Sequence, residues 1–124
     1  MTCFWDGILK GLNSAGLVSE GSIEKLIEFL KKNNKMTNNI IWNDEKLTEK
    51  EKIVNFQTVK NFDIGGIYNG HLCSTCDYFL LLICEIFCID INHFFLNKLM
   101  TYRNKVNKTK RTITFHSDRG HFWH

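Results

Sequence analysis

Thr2-Cys3-Phe4-Trp5-Asp6-Gly7-Ile8-Leu9 is the stretch around which the rest of the chain is organised. Thr2 suits an N-cap, because its hydroxyl accepts a bond from a free backbone N–H in the first turn. Cys3 then falls on the first helical position, where unpaired N–H groups and the helix dipole favour a negative charge and hence a thiolate. Ile8, Leu9, Leu12 and Ala15 recur at helical spacing, so one face of the helix belongs in a core. Gly16 suits the left-handed C′ position that closes it. The pattern describes an activated cysteine on a rigid element. The competing reading is a cysteine that serves as a small core hydrophobe.

Outward from this helix, Ser22 caps a second one running to Lys32, with Ile23, Leu26, Ile27 and Leu30 on one face. Asn33 and Asn34 close it. The segment 35–44 is a polar loop that holds one short extended piece, Ile40-Ile41-Trp42. Thr48 and Glu51 form a capping box, which starts a third helix through Ile53, Val54 and Phe56 to about Lys60. The irregular segment 61–71 carries Gly65, Gly66 and Gly70, the marks of tight turns. Gly65-Gly66 lacks the lysine and helix start of a phosphate loop, so that reading is set aside.

Ser74 or Asp77 caps a fourth helix, Thr75 to Cys88, apolar nearly all round and therefore expected at the centre. The run 89–95 enters a strand, and a variable loop follows. The basic cluster from Arg103 to Arg111 reads as a solvated loop. Arg111-Thr112-Ile113-Thr114-Phe115-His116 has β-branched alternation, Ser117 to Gly120 supplies turn residues, and His121 to His124 returns as the partner strand. Helices early and a small antiparallel sheet late predict an α+β fold.

The 124 residues suffice for one core, so 1–124 reads as a single domain. A hydrophobic fraction of 44% excludes a disordered chain. The net charge of +3 is mild and no aromatic stacking motif accompanies the basic cluster, so a nucleic-acid partner is not expected. Five cysteines is an odd number, and Met-Thr-Cys does not open a signal peptide. Free thiols in a reducing, cytoplasmic compartment are the expectation, with the protein a monomer. The most apolar run, Tyr78 to Ile91, contains Glu85 and Asp90 and is too short to span a membrane.

His71-x-Cys73-x-x-Cys76 has the spacing of half a zinc site, but no second half follows. Cys76, Cys84 and Cys88 share one helical stripe and read as packing, so neither a metal nor another cofactor is expected. His93 and His116 lie in strand-like runs and read as structural or exposed. His121 is different: it follows a glycine at the head of the last strand, accessible and firmly positioned. A histidine there is placed to withdraw the proton of Cys3, the division of labour of a cysteine–histidine pair.

Cys3-Phe4-Trp5-Asp6-Gly7-Ile8 resembles the nucleophile helix of the ovarian-tumour (OTU) family of cysteine proteases, whose pattern is cysteine, hydrophobic, aromatic, any residue, small, aliphatic. The ending Ile113 to Phe122 resembles that family's closing hairpin, where an aromatic follows the catalytic histidine. Gly70-His71, the buried helix and the strand Ile89-Asp90-Ile91 resemble its central helix and strand. The resemblance implies a papain-like fold and hydrolysis of ubiquitin or ubiquitin-like conjugates after a carboxyl-terminal glycine. Cys3 would be the nucleophile, His121 the general base and later the acid, and the Cys3 backbone N–H a donor to the oxyanion.

Two departures stand beside it. Only Met1 and Thr2 precede the cysteine, where the family has an Asp-Gly-rich loop. Trp123 occupies the position two after the histidine, where the family often has an orienting Asp or Asn. Asp118, His124 or the terminal carboxylate are the candidate substitutes. The alternative function is a module of the same fold, weak or inactive in catalysis, that binds ubiquitin or another protein.

Overall fold

The first helix, α1, spans Cys3–Ser14 and buries Phe4, Trp5, Ile8 and Leu12, with Leu9 and Ala15 half-buried at the margin of that face. It ends as expected at Gly16, whose φ is 72°. Gly16 N donates to Asn13 O at 3.0 Å and Leu17 N to Leu12 O at 2.9 Å, which satisfies two carbonyls the helix leaves open. The computed structural model describes residues 3–19, 21–64, 77–107 and 111–124. The expected Thr2 cap, the glycines of 65–70, and His71, Cys73, Ser74, Thr75 and Cys76 lie outside the described residues.

Helix α2, Ile23–Lys32, starts at Ser22, whose hydroxyl accepts from Lys25 N at 3.2 Å. Strand β1, Ile40–Trp42, is the short extended piece read from the sequence. It turns through Asn43 and Asp44, both at positive φ, into β2, Glu45–Lys46, a strand not anticipated. Helix α3, Glu49–Lys60, opens on the capping box: Glu51 N donates to the Thr48 hydroxyl at 3.1 Å, and Thr48 N donates to the Glu51 carboxylate at 2.8 Å. Its Ile53 and Val54 are exposed and only Val59 is buried, so α3 lies on the surface.

Helix α4, Asp77–Phe87, buries every residue from Phe79 to Glu85 and is the central helix. The Glu85 carboxylate, inside the protein, accepts from both the backbone N–H and the side-chain amide of Asn39, each at 2.8 Å. The helix stops before Cys88, which sits at φ 54° while Ile89 N reaches back to Cys84 O. This corrects the shared cysteine stripe. Cys84 is fully buried, and burial, reinforced by the charge of Asp90, pushes its thiol well up. Cys88 is exposed beyond the helix end. Cys84→Ala is therefore expected to lower stability by about 1 kcal/mol, whereas Cys88→Ala should leave the melting temperature where it is. Thermal melts of the two variants check this.

The remaining strands are β3 (Asp90–Phe95), β4 (Lys98–Asn104), β5 (Thr112–Ser117) and β6 (Phe122–Trp123), in a six-stranded sheet of order β2-β1-β4-β3-β5-β6. The fold is α+β, with helices packed on a mixed sheet. Among the described residues only β3 and β5 run parallel; the other four pairings are antiparallel.

Strand β4 corrects the reading of a variable loop. Met100, Tyr102 and Asn104 alternate inward, and the strand pairs with β1 on one side and β3 on the other. Asn104 is satisfied inside the protein, its amide donating to Cys84 O and its N–H accepted by Asp90. Arg103, assigned to a solvated cluster, is half-buried on this strand and donates to Ile91 O.

The inner sheet face buries Ile91, His93, Tyr102, Ile113, Phe115 and Phe122. Helix α1 packs on β5 and β6, and α4 on β1, β3 and β4. Two glycines one turn apart set how closely α1 approaches. A Cβ on Gly7 would lie 2.7 Å from the Phe122 ring, and one on Gly11 2.7 Å from the Phe115 ring. The rings of the last two strands occupy a notch along the helix that any larger residue would fill. Among the described residues, no helix is long and apolar enough to cross a membrane.

Candidate active-site cleft

Phe122 is nearly fully buried and makes ring contacts with Phe4, Phe115 and His93 at centroid distances of 4.7, 5.2 and 5.4 Å. Seated in the Gly7 notch, it pins the closing hairpin to the first turns of α1. The residue before it, His121, is thereby held beside the helix start. Cys3, Asp6, Gly7 and Lys10 of α1 and the four residues from His121 to His124 line one cleft of about 210 Å³. Cys3 is half-buried and packs against the core, while His121 is exposed. The first N–H groups of a helix have no partner within it, and in α1 these belong to the turn that carries Cys3.

The turn between β5 and β6 fixes the backbone of His121. Asp118 N donates to His121 O at 2.9 Å, and Gly120 N donates to the Asp118 carboxylate at 2.9 Å. Asp118, a candidate to orient the histidine, thus has a carboxylate oxygen engaged in the turn and does not line the cleft. His124, the other candidate, does line it, but its Nδ1 lies 3.1 Å from Thr114 O and its ring rests against Phe115. A contact the sequence reading missed is that of Trp123, whose indole stacks on the His121 ring at 5.4 Å and 26°.

The other histidines take separate places. His116 is on the outer sheet face, stacked between Phe94 and Trp123. His93 is buried on the inner face, with Nε2 2.6 Å from the Ser117 hydroxyl and Nδ1 buried without a hydrogen-bond partner among the described residues. Burial first, and the charge of His116 second, lower its pKa to about 4. The unfolded chain takes up a proton on this residue near pH 6.5. Below that pH the unfolded state therefore binds a proton that the native state refuses. The stability that neutral His93 gives is complete above about pH 6.5 and is lost as the pH falls toward 4. Urea midpoints at pH 7.5 and 4.5 should differ more for the wild type than for His93→Gln.

A larger hollow of about 480 Å³ lies between the end of α1 and α2, with Leu9, Leu17, Phe29 and Phe87 among its walls. Among the described residues no cysteine or histidine lines it, so it does not hold a cysteine–histidine pair. Among the described residues, no group of three His, Cys, Asp or Glu side chains is placed to hold a metal ion. Comparison of the chain with protein-family models, curated proteins and solved structures finds no match.

Proposed function

We propose that the protein is a cysteine-dependent hydrolase of the OTU type, with a papain-like arrangement of its helices and sheet, acting on ubiquitin or ubiquitin-like conjugates. The observation that supports this reading is that Cys3 and His121, far apart in sequence, both line one cleft. His121 takes the Cys3 proton, and the thiolate attacks the carbonyl of the scissile bond. The resulting oxyanion is stabilised by N–H groups at the start of α1, that of Cys3 among them. His121 then returns the proton to the leaving amine, and water releases the acyl group from the sulfur.

The dimensions of the cleft support a substrate with small residues at the bond. A volume of about 210 Å³ is below the range of sites that enclose drug-sized ligands. Gly7 forms part of the wall and Phe122 and Trp123 another, which suits an extended glycine tail better than a bulky side chain.

The test is incubation with ubiquitin carrying an electrophile in place of its terminal carboxylate. A covalent adduct on Cys3, located by mass spectrometry and absent in His121→Ala, is the expected result. Binding without an adduct would replace the hydrolase by an interaction module. Neither adduct nor binding would end the ubiquitin reading.

A further inference from the structure

His121 is exposed, and an exposed imidazole samples several rotamers unless something restrains its ring. In a cysteine–histidine pair that restraint usually comes from a side-chain carboxylate or amide hydrogen-bonded to the far nitrogen. Here the Asp118 carboxylate accepts from Gly120 N in the turn, and the His124 ring is engaged with Thr114 O. The ring in contact with His121 is that of Trp123.

Trp123 is itself held, although 40% exposed. Its other stacking partner is His116, at 5.8 Å and 16°, the residue directly opposite on β5. His116 in turn stacks on Phe94 of β3 at 5.4 Å and 14°. Four rings from three neighbouring segments thus stand in a row across the outer face of the sheet, and His121 is its last member. Such a row limits rotation of each ring by contact with the next.

We infer that Trp123 is a positioning residue for His121, its stacked indole restraining the plane of the imidazole. The inference rests on the hydrolase reading above and names the third member of the same site. Stacking restrains the plane of the imidazole ring. It also stabilises the protonated form, because a cation over an indole face is attracted by the ring quadrupole. The imidazolium formed when Cys3 gives up its proton is such a cation. Among the described residues, the charged and titratable groups on the elements that carry the pair are Asp6 and Lys10 of α1, His116 of β5, and Asp118, Arg119 and His124 of the hairpin. Asp6 and Lys10 oppose each other in sign across the same wall.

The test reads the reactivity of Cys3 directly and does not require a protein substrate. The full-length chain is treated with iodoacetamide from pH 5 to 9, and the rate at Cys3 is followed by site-resolved mass spectrometry, apart from the other cysteines. His121→Ala should remove the acid limb of the wild-type profile. Trp123→Leu should reduce the rate at pH 6 about fivefold, the scale of a cation–π contact near a surface, and Trp123→Phe should restore it to within about twofold because a ring again faces the imidazole. A purely structural tryptophan would lower the melting temperature in Trp123→Leu and leave the profile unchanged, which would overturn the inference. If His121→Ala alone changes the profile, the cysteine–histidine pair stands and Trp123 does not position it. If neither variant changes it, the pair itself is disproved and the role of Trp123 with it.

Discussion

Cys3→Ala is expected to abolish cleavage of a fluorogenic ubiquitin substrate, by on the order of a thousandfold or more, since among the described residues no second cysteine lines the cleft. The fold should survive: Cys3 is half-buried at a helix start, and the lost sulfur leaves little void. His121→Ala should reach the same residual rate. The double variant should be no slower than either single one, because nucleophile and base act as a unit and their losses do not add. The measurement pairs turnover with thermal melts of all three variants. Wild-type turnover in Cys3→Ala would show that Cys3 is not the nucleophile, leaving α1 as scaffold only.

Phe122→Ala should have the largest effect on stability, a loss of about 3–5 kcal/mol from an aromatic deleted in the core. The ring fills the Gly7 notch and touches Phe4, Phe115 and His93, so its removal leaves a cavity bounded by both α1 and the sheet. β6 is two residues long and pairs with β5 only at His116↔Trp123 and Ser117↔Phe122, so few backbone bonds hold β6 in place once the Phe122 ring is gone. Activity should therefore disappear even below the melting temperature, as His121 parts from Cys3. Gly7→Ala approaches the same contact from the other side. The added methyl meets Phe122 at 2.7 Å and displaces the hairpin, an overpacking cost of about 1–3 kcal/mol against about 1 kcal/mol of improved helix propensity. Denaturant unfolding measures both, and a Phe122→Ala protein as stable as the wild type would show that the notch does not seat the hairpin.

The two halves of the site were legible to different degrees. Cys3 at a helix start follows from the pattern of α1, and His121 beside a turn follows from Ser117 to Gly120 between two alternating runs. The partners of His121 did not follow. Asp118 is close in sequence, yet its carboxylate serves the turn, because the Gly120 N–H is two residues away and accessible within the same loop. Trp123 was read only as a missing carboxylate. Its stacking depends on His116 and Phe94, which β5 and β3 bring into one row.

By itself the sequence determined the local elements. The Ser22 cap, the Thr48–Glu51 box, the Gly16 stop and the turn at 117–120 are each settled by hydrogen bonds within a few residues, so residue types at fixed spacing suffice to read them. Tertiary structure alone decided the rest. Strand β4 stands between β1 and β3, and its basic and polar residues read as loop until those two neighbours supply its backbone partners. The parallel pairing of β3 with β5 joins residues about twenty apart, with no turn between them to announce it. Gly7 and Gly11 look like weak points in a helix until Phe122 and Phe115 are set against them. In each case the deciding contact lies with a residue distant in the chain, and it is packing against that residue, rather than local preference, that places Cys3 and His121 on one cleft.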